Sequence, residues 1–133
     1  MTDLDLLTIA KDAMHHAYAP YSGYLVGAAL LCEDGSVYTG CNIENASFGA
    51  TNCAERTALF KAVSEGKRRF CAIAVIGGKD GNCNTYTMPC GICRQALSEF
   101  CDNKFRIILG TDNGSMQTTT LGDLLPGAFQ MDP

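Results

Sequence analysis

The chain has 133 residues and a net charge of −4 at neutral pH; 47% of its residues are hydrophobic and 18% are charged. This length and balance predict one globular domain spanning residues 1–133, with no need for disulfide bonds to stabilise it. The acidic charge and the lack of a basic patch argue against a protein that binds nucleic acid through its phosphates. The longest strongly apolar run, residues 70–76, is too short to cross a membrane.

The first elements predicted are a helix and a β-hairpin. Apolar residues recur at helical spacing over residues 4–18, and Pro20 is expected to end this helix. An apolar segment at residues 26–32 and an alternating segment at residues 36–41 flank a Glu-Asp-Gly turn signal. That arrangement is typical of a β-hairpin.

A helix and a buried strand are predicted next. Residues 53–65 have a helical pattern that ends at Gly66. Residues 70–76 are continuously apolar, which indicates a strand covered on both faces. Residues 77–84 are rich in glycine and asparagine and are predicted to form a loop.

The last predicted elements are a helix over residues 90–101, a short strand over residues 105–109 and a short helix over residues 121–125. Helices connect the later strands, so we expect these strands to be parallel. The whole pattern predicts an α/β domain, whose ligand site is expected at the carboxyl ends of its strands.

Eight cysteines are many for this length. The N-terminus carries acidic residues where an export signal needs basic ones, so we expect a cytoplasmic protein with reduced thiols rather than disulfides. The cysteines are Cys32, Cys41, Cys53, Cys71, Cys83, Cys90, Cys93 and Cys101.

Three of these cysteines lie at predicted helix starts. Cys53 begins one helix, and Cys90 and Cys93 follow Pro89 on the first turn of another, where their spacing puts them on one face. The partial positive charge of a helix N-terminus lowers a thiol's pKa, and the thiolate is the form that binds zinc. We therefore predict one zinc ion per chain, bound by Cys53, Cys90 and Cys93.

A catalytic zinc site keeps one position open for water, whereas a structural site needs a fourth protein ligand. Cys83 is the nearest candidate for a fourth ligand along the chain. Glu55 follows Cys53 by two residues. It is either an ordinary residue of the first helical turn or the group that carries protons beside the metal. The joint pattern Cys-x-Glu and Pro-Cys-x-x-Cys is typical of zinc nucleobase deaminases, which favours the catalytic interpretation.

Three thiolates around Zn²⁺ leave a net negative charge, which weakens the ion's effect on bound water. We expect Arg56 and Gln95 to donate hydrogen bonds to the thiolates and so to offset this charge. The alternative for Arg56 is a surface helix residue.

Four segments of the chain closely resemble the small homotetrameric cytidine deaminases. They are PYSGYLVGAAL (20–30), GCNIENASFGATNCAERTAL (40–59), PCGICRQALSEF (89–100) and LGDLLPGAF (121–129). The resemblance extends over residues 18–129. It implies a three-layer α/β/α fold with a five-stranded mixed sheet, one zinc ion per subunit and active sites shared between subunits of a homotetramer.

The resemblance also implies roles for individual residues. It makes Cys53, Cys90 and Cys93 the zinc ligands and Glu55 the proton shuttle. The implied substrate contacts are Asn42 and Glu44 with a ribose hydroxyl, the backbone of Ala54 with the base carbonyl, and Tyr24 with the base. Tyr24 stands where the family commonly has Phe, so its hydroxyl is a departure from the pattern. Ala46, Phe48 and Phe129 resemble residues that complete a neighbouring subunit's pocket; the alternative for Phe129 is a C-terminal core anchor.

The function implied is hydrolytic deamination of cytidine and deoxycytidine, with release of ammonia, in pyrimidine salvage. Two alternatives stay open: a deaminase of another aminopyrimidine compound such as blasticidin S, and a non-catalytic structural zinc module. No glycine-rich phosphate cradle occurs in the sequence, so we expect a free nucleoside substrate rather than a nucleotide.

Overall fold

The computed structural model describes residues 1–132 of the chain. Helices lie before, between and after its strands. The helices are α1 Asp3–Met14, α2 Ala54–Ser64, α3 Gly91–Ser98 and α4 Leu121–Leu124. The strands are β1 Tyr24–Cys32, β2 Val37–Cys41, β3 Phe70–Lys79, β4 Arg106–Gly110 and β5 Met116–Thr120. A single 3₁₀ turn, Phe48–Ala50, precedes α2.

The strands form one mixed sheet in the order β2-β1-β3-β4-β5. β1 pairs antiparallel with both β2 and β3, and β5 pairs antiparallel with β4. β3 and β4 are parallel, as their helical connection predicted. The five-stranded mixed sheet implied by the family resemblance is confirmed.

Alternating side chains of the central strand face two different helical layers. On β3, Ala72 and Ala74 belong to the apolar cluster that includes residues of α1. Ile73 and Val75 belong to the cluster that includes residues of α2, α3 and α4. This period-two alternation gives the strand an almost continuous apolar sequence and produces the three-layer α/β/α architecture.

Glycines on the two hairpin strands let the helices approach the sheet closely. A methyl group added at Gly27 would collide with the Ala10 carbonyl oxygen and lie 2.6 Å from the Met14 nitrogen, both on α1. One added at Gly40 would collide with the Ala54 carbonyl oxygen and lie 2.5 Å from the Ala58 nitrogen, both on α2. Each helix therefore packs against backbone at one strand position.

The structure differs from the predicted elements at several ends. α1 ends at Met14, well before Pro20, and α3 ends at Ser98 rather than at residue 101. β3 continues to Lys79, although a loop was predicted from residue 77. Gly77 and Gly78 pair with β1, and because glycine has no side chain, neighbouring backbone can lie close to both of them. The residue pattern did not predict β5, an edge strand whose polar side chains are mostly exposed.

Among residues 1–132, no helix is both long enough and apolar enough to span a membrane.

Candidate metal centre

Two helix starts bring three cysteines together. Cys53 is the N-cap residue of α2 and Cys90 is the N-cap residue of α3; both have extended backbone conformations. Cys93 lies in the first turn of α3, and it is fully buried, whereas Cys90 is exposed. The sulfur atoms of Cys53, Cys90 and Cys93 all lie within 4.8 Å of one another.

The distances between the sulfur atoms fit a zinc ion. Cys90 Sγ is 3.6 Å from Cys53 Sγ and 3.4 Å from Cys93 Sγ. Both distances are far longer than a disulfide bond of about 2.05 Å. They are close to the ~3.8 Å expected between two ligands of a tetrahedral ion with Zn–S bonds of about 2.3 Å. Neither Cys53 nor Cys90 uses its side chain to cap its own helix, so both sulfur atoms remain available as metal ligands.

Cys83, the candidate fourth ligand, lies elsewhere. Its side chain is fully buried in the α1 layer, and its Sγ is 3.5 Å from Met14 Sδ. Within residues 1–132 the metal-ligand cluster contains three cysteines, and Cys83 is not one of them. This donor set matches the pattern of a zinc site that keeps a position open.

The pKa values of Cys53 and Cys93 are shifted in opposite directions. A hydrogen bond from Cys93 is the largest of the effects that lower the pKa of Cys53 to about 5, and Arg56 also lowers it. The same contact raises the pKa of Cys93. Arg56 Nη2 donates to Cys53 Sγ at 3.5 Å, and its Nε is buried without a hydrogen-bond partner in the described part of the chain. The guanidinium thus lies where it offsets the thiolate charge.

Glu55 is a buried carboxyl group beside this cluster. It lies in the first turn of α2 with only 3% of its surface exposed. Burial raises the pKa of Glu55 to about 7, and the neighbouring charge of Cys53 adds to the increase. A carboxyl group in this environment exchanges protons near neutral pH, which an ordinary exposed glutamate does not do.

Gln95 has a different partner from the one predicted. Its side-chain amide donates to the backbone carbonyl of Phe129 at 3.0 Å rather than to a thiol. The neighbouring Arg94 donates from Nε to the Pro89 carbonyl at 2.7 Å and from Nη1 to the Leu124 carbonyl at 2.8 Å. Two consecutive residues of α3 therefore hold the C-terminal segment. Arg94 was not among the predicted site residues, although it directly follows Cys93 in the sequence.

Asn42 joins the end of the hairpin to β1. Its Oδ1 accepts a hydrogen bond from the Val26 nitrogen at 2.9 Å, and its Nδ2 donates to the Tyr24 carbonyl at 2.7 Å. The side chain is therefore held firmly at the start of β1, next to the ring predicted to contact a base.

Glu44 holds the loop before β1. Its carboxylate accepts hydrogen bonds from the backbone nitrogens of Tyr21, at 2.9 Å, and Ser22, at 3.1 Å, and from the Ser22 hydroxyl. The Ser22 hydroxyl is the main reason that the pKa of Glu44 is lowered, and the charge of Lys79 lowers it further. The carboxylate therefore stays ionised, and the cation close to it was not among the predicted features of the site.

The remaining predicted substrate residues differ in exposure. Ala54 is fully buried at the start of α2, and Ala46 is exposed. Phe48 and Phe129 expose 81% and 67% of their surface, and Tyr24 exposes 36%. The Phe48 and Phe129 rings are therefore accessible to another molecule.

A family model matches most of the chain. It is described as the cytidine and deoxycytidylate deaminase zinc-binding region, and it matches residues 1–109, which include the three clustered cysteines.

Individual proteins are similar over nearly the full chain. A cytidine deaminase of Sporosarcina psychrophila is 50% identical over 127 residues, which cover 96% of this chain and 90% of that protein. The crystal structure of a cytidine deaminase from Burkholderia pseudomallei has a TM-score of 0.90 and 48% identity, covering 97% of this chain and 100% of that one. A blasticidin-S deaminase of Bacillus cereus is 29% identical over 128 residues, which cover 93% of this chain and 89% of that protein.

Proposed function

The chain belongs to the zinc-binding cytidine and deoxycytidylate deaminase family, and from that membership we propose that it deaminates cytidine and deoxycytidine. The products are uridine and deoxyuridine, with ammonia released by hydrolysis. We place this activity in pyrimidine salvage and the protein in the cytoplasm.

The observation that carries the proposal is the cluster of three cysteine sulfurs beside a buried carboxyl group. We assign zinc binding to Cys53, Cys90 and Cys93, whose sulfur atoms all lie within 4.8 Å of one another. The contact from Arg56 Nη2 to Cys53 Sγ supports its role in offsetting the thiolate charge. Glu55 is only 3% exposed. Burying a carboxyl group costs free energy, and a purely structural zinc module gains nothing that offsets this cost.

We assign the proton transfers to Glu55. When bound, zinc supplies Lewis-acid chemistry that makes water a nucleophile near neutral pH. The Glu55 carboxylate takes one proton from the attacking water and gives it to N3 of the base, while the water oxygen bonds to C4. It then moves the second proton to the amino group, the C4–N bond breaks and ammonia leaves. Glu55 ends in the protonation state in which it began, and its burial strengthens each electrostatic interaction.

The nucleoside contacts are proposals as well. We assign a ribose hydroxyl to Asn42 and Glu44, the base carbonyl to the backbone of Ala54, and one wall of the base site to Tyr24. An ionised Glu44 supports its role, because a carboxylate accepts hydrogen bonds from hydroxyls.

We propose a homotetramer whose active sites are shared between subunits. The Phe48 and Phe129 rings are exposed and so accessible to a second subunit, as is Ala46, two residues before Phe48. Light scattering of the purified protein tests it. A monomer with full activity would refute the shared site.

Substrate comparison tests the proposed function. Cytidine, deoxycytidine, cytosine, CMP and blasticidin S are incubated separately with the zinc-loaded protein, and loss of substrate and release of ammonia are measured. We expect both nucleosides to react well, cytosine to react poorly because it lacks ribose, and CMP to react poorly because its phosphate approaches the Glu44 carboxylate.

Two outcomes would change the proposal. Comparable efficiency on CMP would show that Lys79, which lies near Glu44, accommodates a phosphate and that the pocket assignment is wrong. Turnover of blasticidin S without turnover of cytidine would replace the proposed function with the antibiotic deaminase alternative.

A further inference from the structure

Two hydroxyl groups meet between β1 and the segment that leads into the metal cluster. Tyr24 Oη lies 2.7 Å from Thr87 Oγ1, and Thr87 Oγ1 lies 3.1 Å from the Gly77 carbonyl oxygen. Tyr24 begins β1, and Thr87 precedes Cys90 by three residues. The contact joins residues that are 63 positions apart along the chain.

The donors in this chain of hydrogen bonds follow from elementary chemistry. A carbonyl oxygen only accepts, so Thr87 donates its single hydroxyl proton to Gly77. Thr87 then has no proton left for Tyr24, and Tyr24 must donate to Thr87. The order of donation is therefore Tyr24 to Thr87 to Gly77, and this chain of hydrogen bonds restrains the hydroxyl end of the phenol ring.

The surrounding backbone is built to allow this contact. A methyl group added at Gly77 would lie 2.8 Å from the Leu25 carbonyl oxygen and 3.2 Å from Thr87 Oγ1, so a larger residue would push Thr87 away. From the other side, Asn42 Nδ2 donates to the Tyr24 carbonyl at 2.7 Å. The backbone and the hydroxyl of Tyr24 are thus both held, although 36% of its surface is exposed.

We propose that Thr87 is a positioning residue for the nucleoside: by accepting the Tyr24 hydroxyl proton, it holds the Tyr24 ring ready against the base. This inference rests on the proposed function, which makes Tyr24 one wall of the base site. Without Thr87 the ring would have to be ordered each time a nucleoside binds, at a cost in conformational entropy. The loss would appear in substrate binding more than in the chemical step.

A double-mutant cycle tests the proposal with near-isosteric deletions. Tyr24→Phe and Thr87→Val each remove one hydroxyl, and the double variant removes both. We expect either single variant to raise KM for cytidine and Kd for the product uridine by about threefold to tenfold, the range of one net hydrogen bond. The double variant should be no worse than the single variants, since either deletion already breaks the contact. Thr87→Ser retains the hydroxyl and should restore both constants.

The controls separate positioning from general damage. Tyr38→Phe removes a hydroxyl from a tyrosine that packs against the core outside this contact, and it should leave KM and Kd unchanged. Zinc content and the thermal unfolding midpoint are measured for every variant, and uridine binding is measured by calorimetry. Additive effects of the two deletions, an unchanged uridine Kd, or no rescue by Thr87→Ser would overturn the proposal. Failure of the wild-type protein to deaminate cytidine would instead refute the proposed function, and does so independently of the variants.

Discussion

Adding a single methyl group at Gly40 should displace α2 and so weaken zinc binding and turnover. Gly40 lies on β2 and faces α2, the helix that carries Cys53, Glu55 and Arg56. The added carbon of Gly40→Ala would lie 2.5 Å from the Ala58 nitrogen. Backbone atoms cannot rotate out of its way, so the helix or the strand must move.

The size of this movement follows from the contact distance. Carbon and nitrogen atoms in ordinary contact are about 3.5 Å apart, so α2 must withdraw by roughly 1 Å. Overpacking of this kind costs about 1–3 kcal/mol of stability. A displacement of about 1 Å between reacting groups also reduces turnover by about 100-fold. It would separate Cys53 from Cys90 and Cys93, which α3 holds.

The matched control is Gly27→Ala on the opposite face of the sheet. Its methyl group would collide with α1, which carries none of the proposed site residues. We expect both variants to lower the thermal unfolding midpoint, but only Gly40→Ala to lose zinc to a chelator faster and to lose turnover per folded molecule. Elemental analysis, circular dichroism and the cytidine assay measure these quantities. Full zinc and normal turnover in Gly40→Ala, or equal zinc loss in Gly27→Ala, would refute the reasoning.

Two further substitutions test individual charges. Glu55→Gln should retain zinc while turnover falls by about 10²-fold to 10⁴-fold, the usual contribution of a general acid–base group. Near-normal turnover would refute the role of Glu55. Arg56→Gln should raise the pKa of Cys53, because Arg56 adds to the larger effect of the Cys93 hydrogen bond in lowering that pKa. Because a thiolate is lost as pH falls through its pKa, zinc release and the acidic limb of activity should both move to higher pH. An unchanged pH profile with full activity would refute the role of Arg56 in offsetting the thiolate charge.

Local chemistry explains why the metal cluster could be predicted from the sequence. Cys90 and Cys93 share one helical turn, and Pro89 indicates where that helix begins. The central strand was equally predictable, because a strand buried on both faces is apolar at every position. These two signals depend on near neighbours in the chain. Cys53, 37 positions before Cys90, was joined to the pair by the motif pattern typical of zinc deaminases.

Other features depend on partners that are distant in sequence. The edge strand Met116–Thr120 has polar, mostly exposed side chains, so its apolar pattern is too weak to indicate a strand. The hydroxyl contact of Tyr24 depends on Thr87, 63 positions away, and no periodic pattern indicates it. Gln95 was expected to donate to the thiolates, yet in the folded chain it donates to the Phe129 carbonyl, 34 positions away.

The uncapped starts of α2 and α3 indicate a compromise between durability and activity. Serine or aspartate at an N-cap position typically stabilises a helix by about 0.5–2 kcal/mol. This chain has cysteine at both positions, and neither Cys53 nor Cys90 caps its helix. Engineering for heat resistance would therefore favour serine at these positions, and each such exchange would remove a proposed metal ligand. Serine at position 53 or 90 would therefore stabilise a helix and at the same time weaken the proposed zinc site.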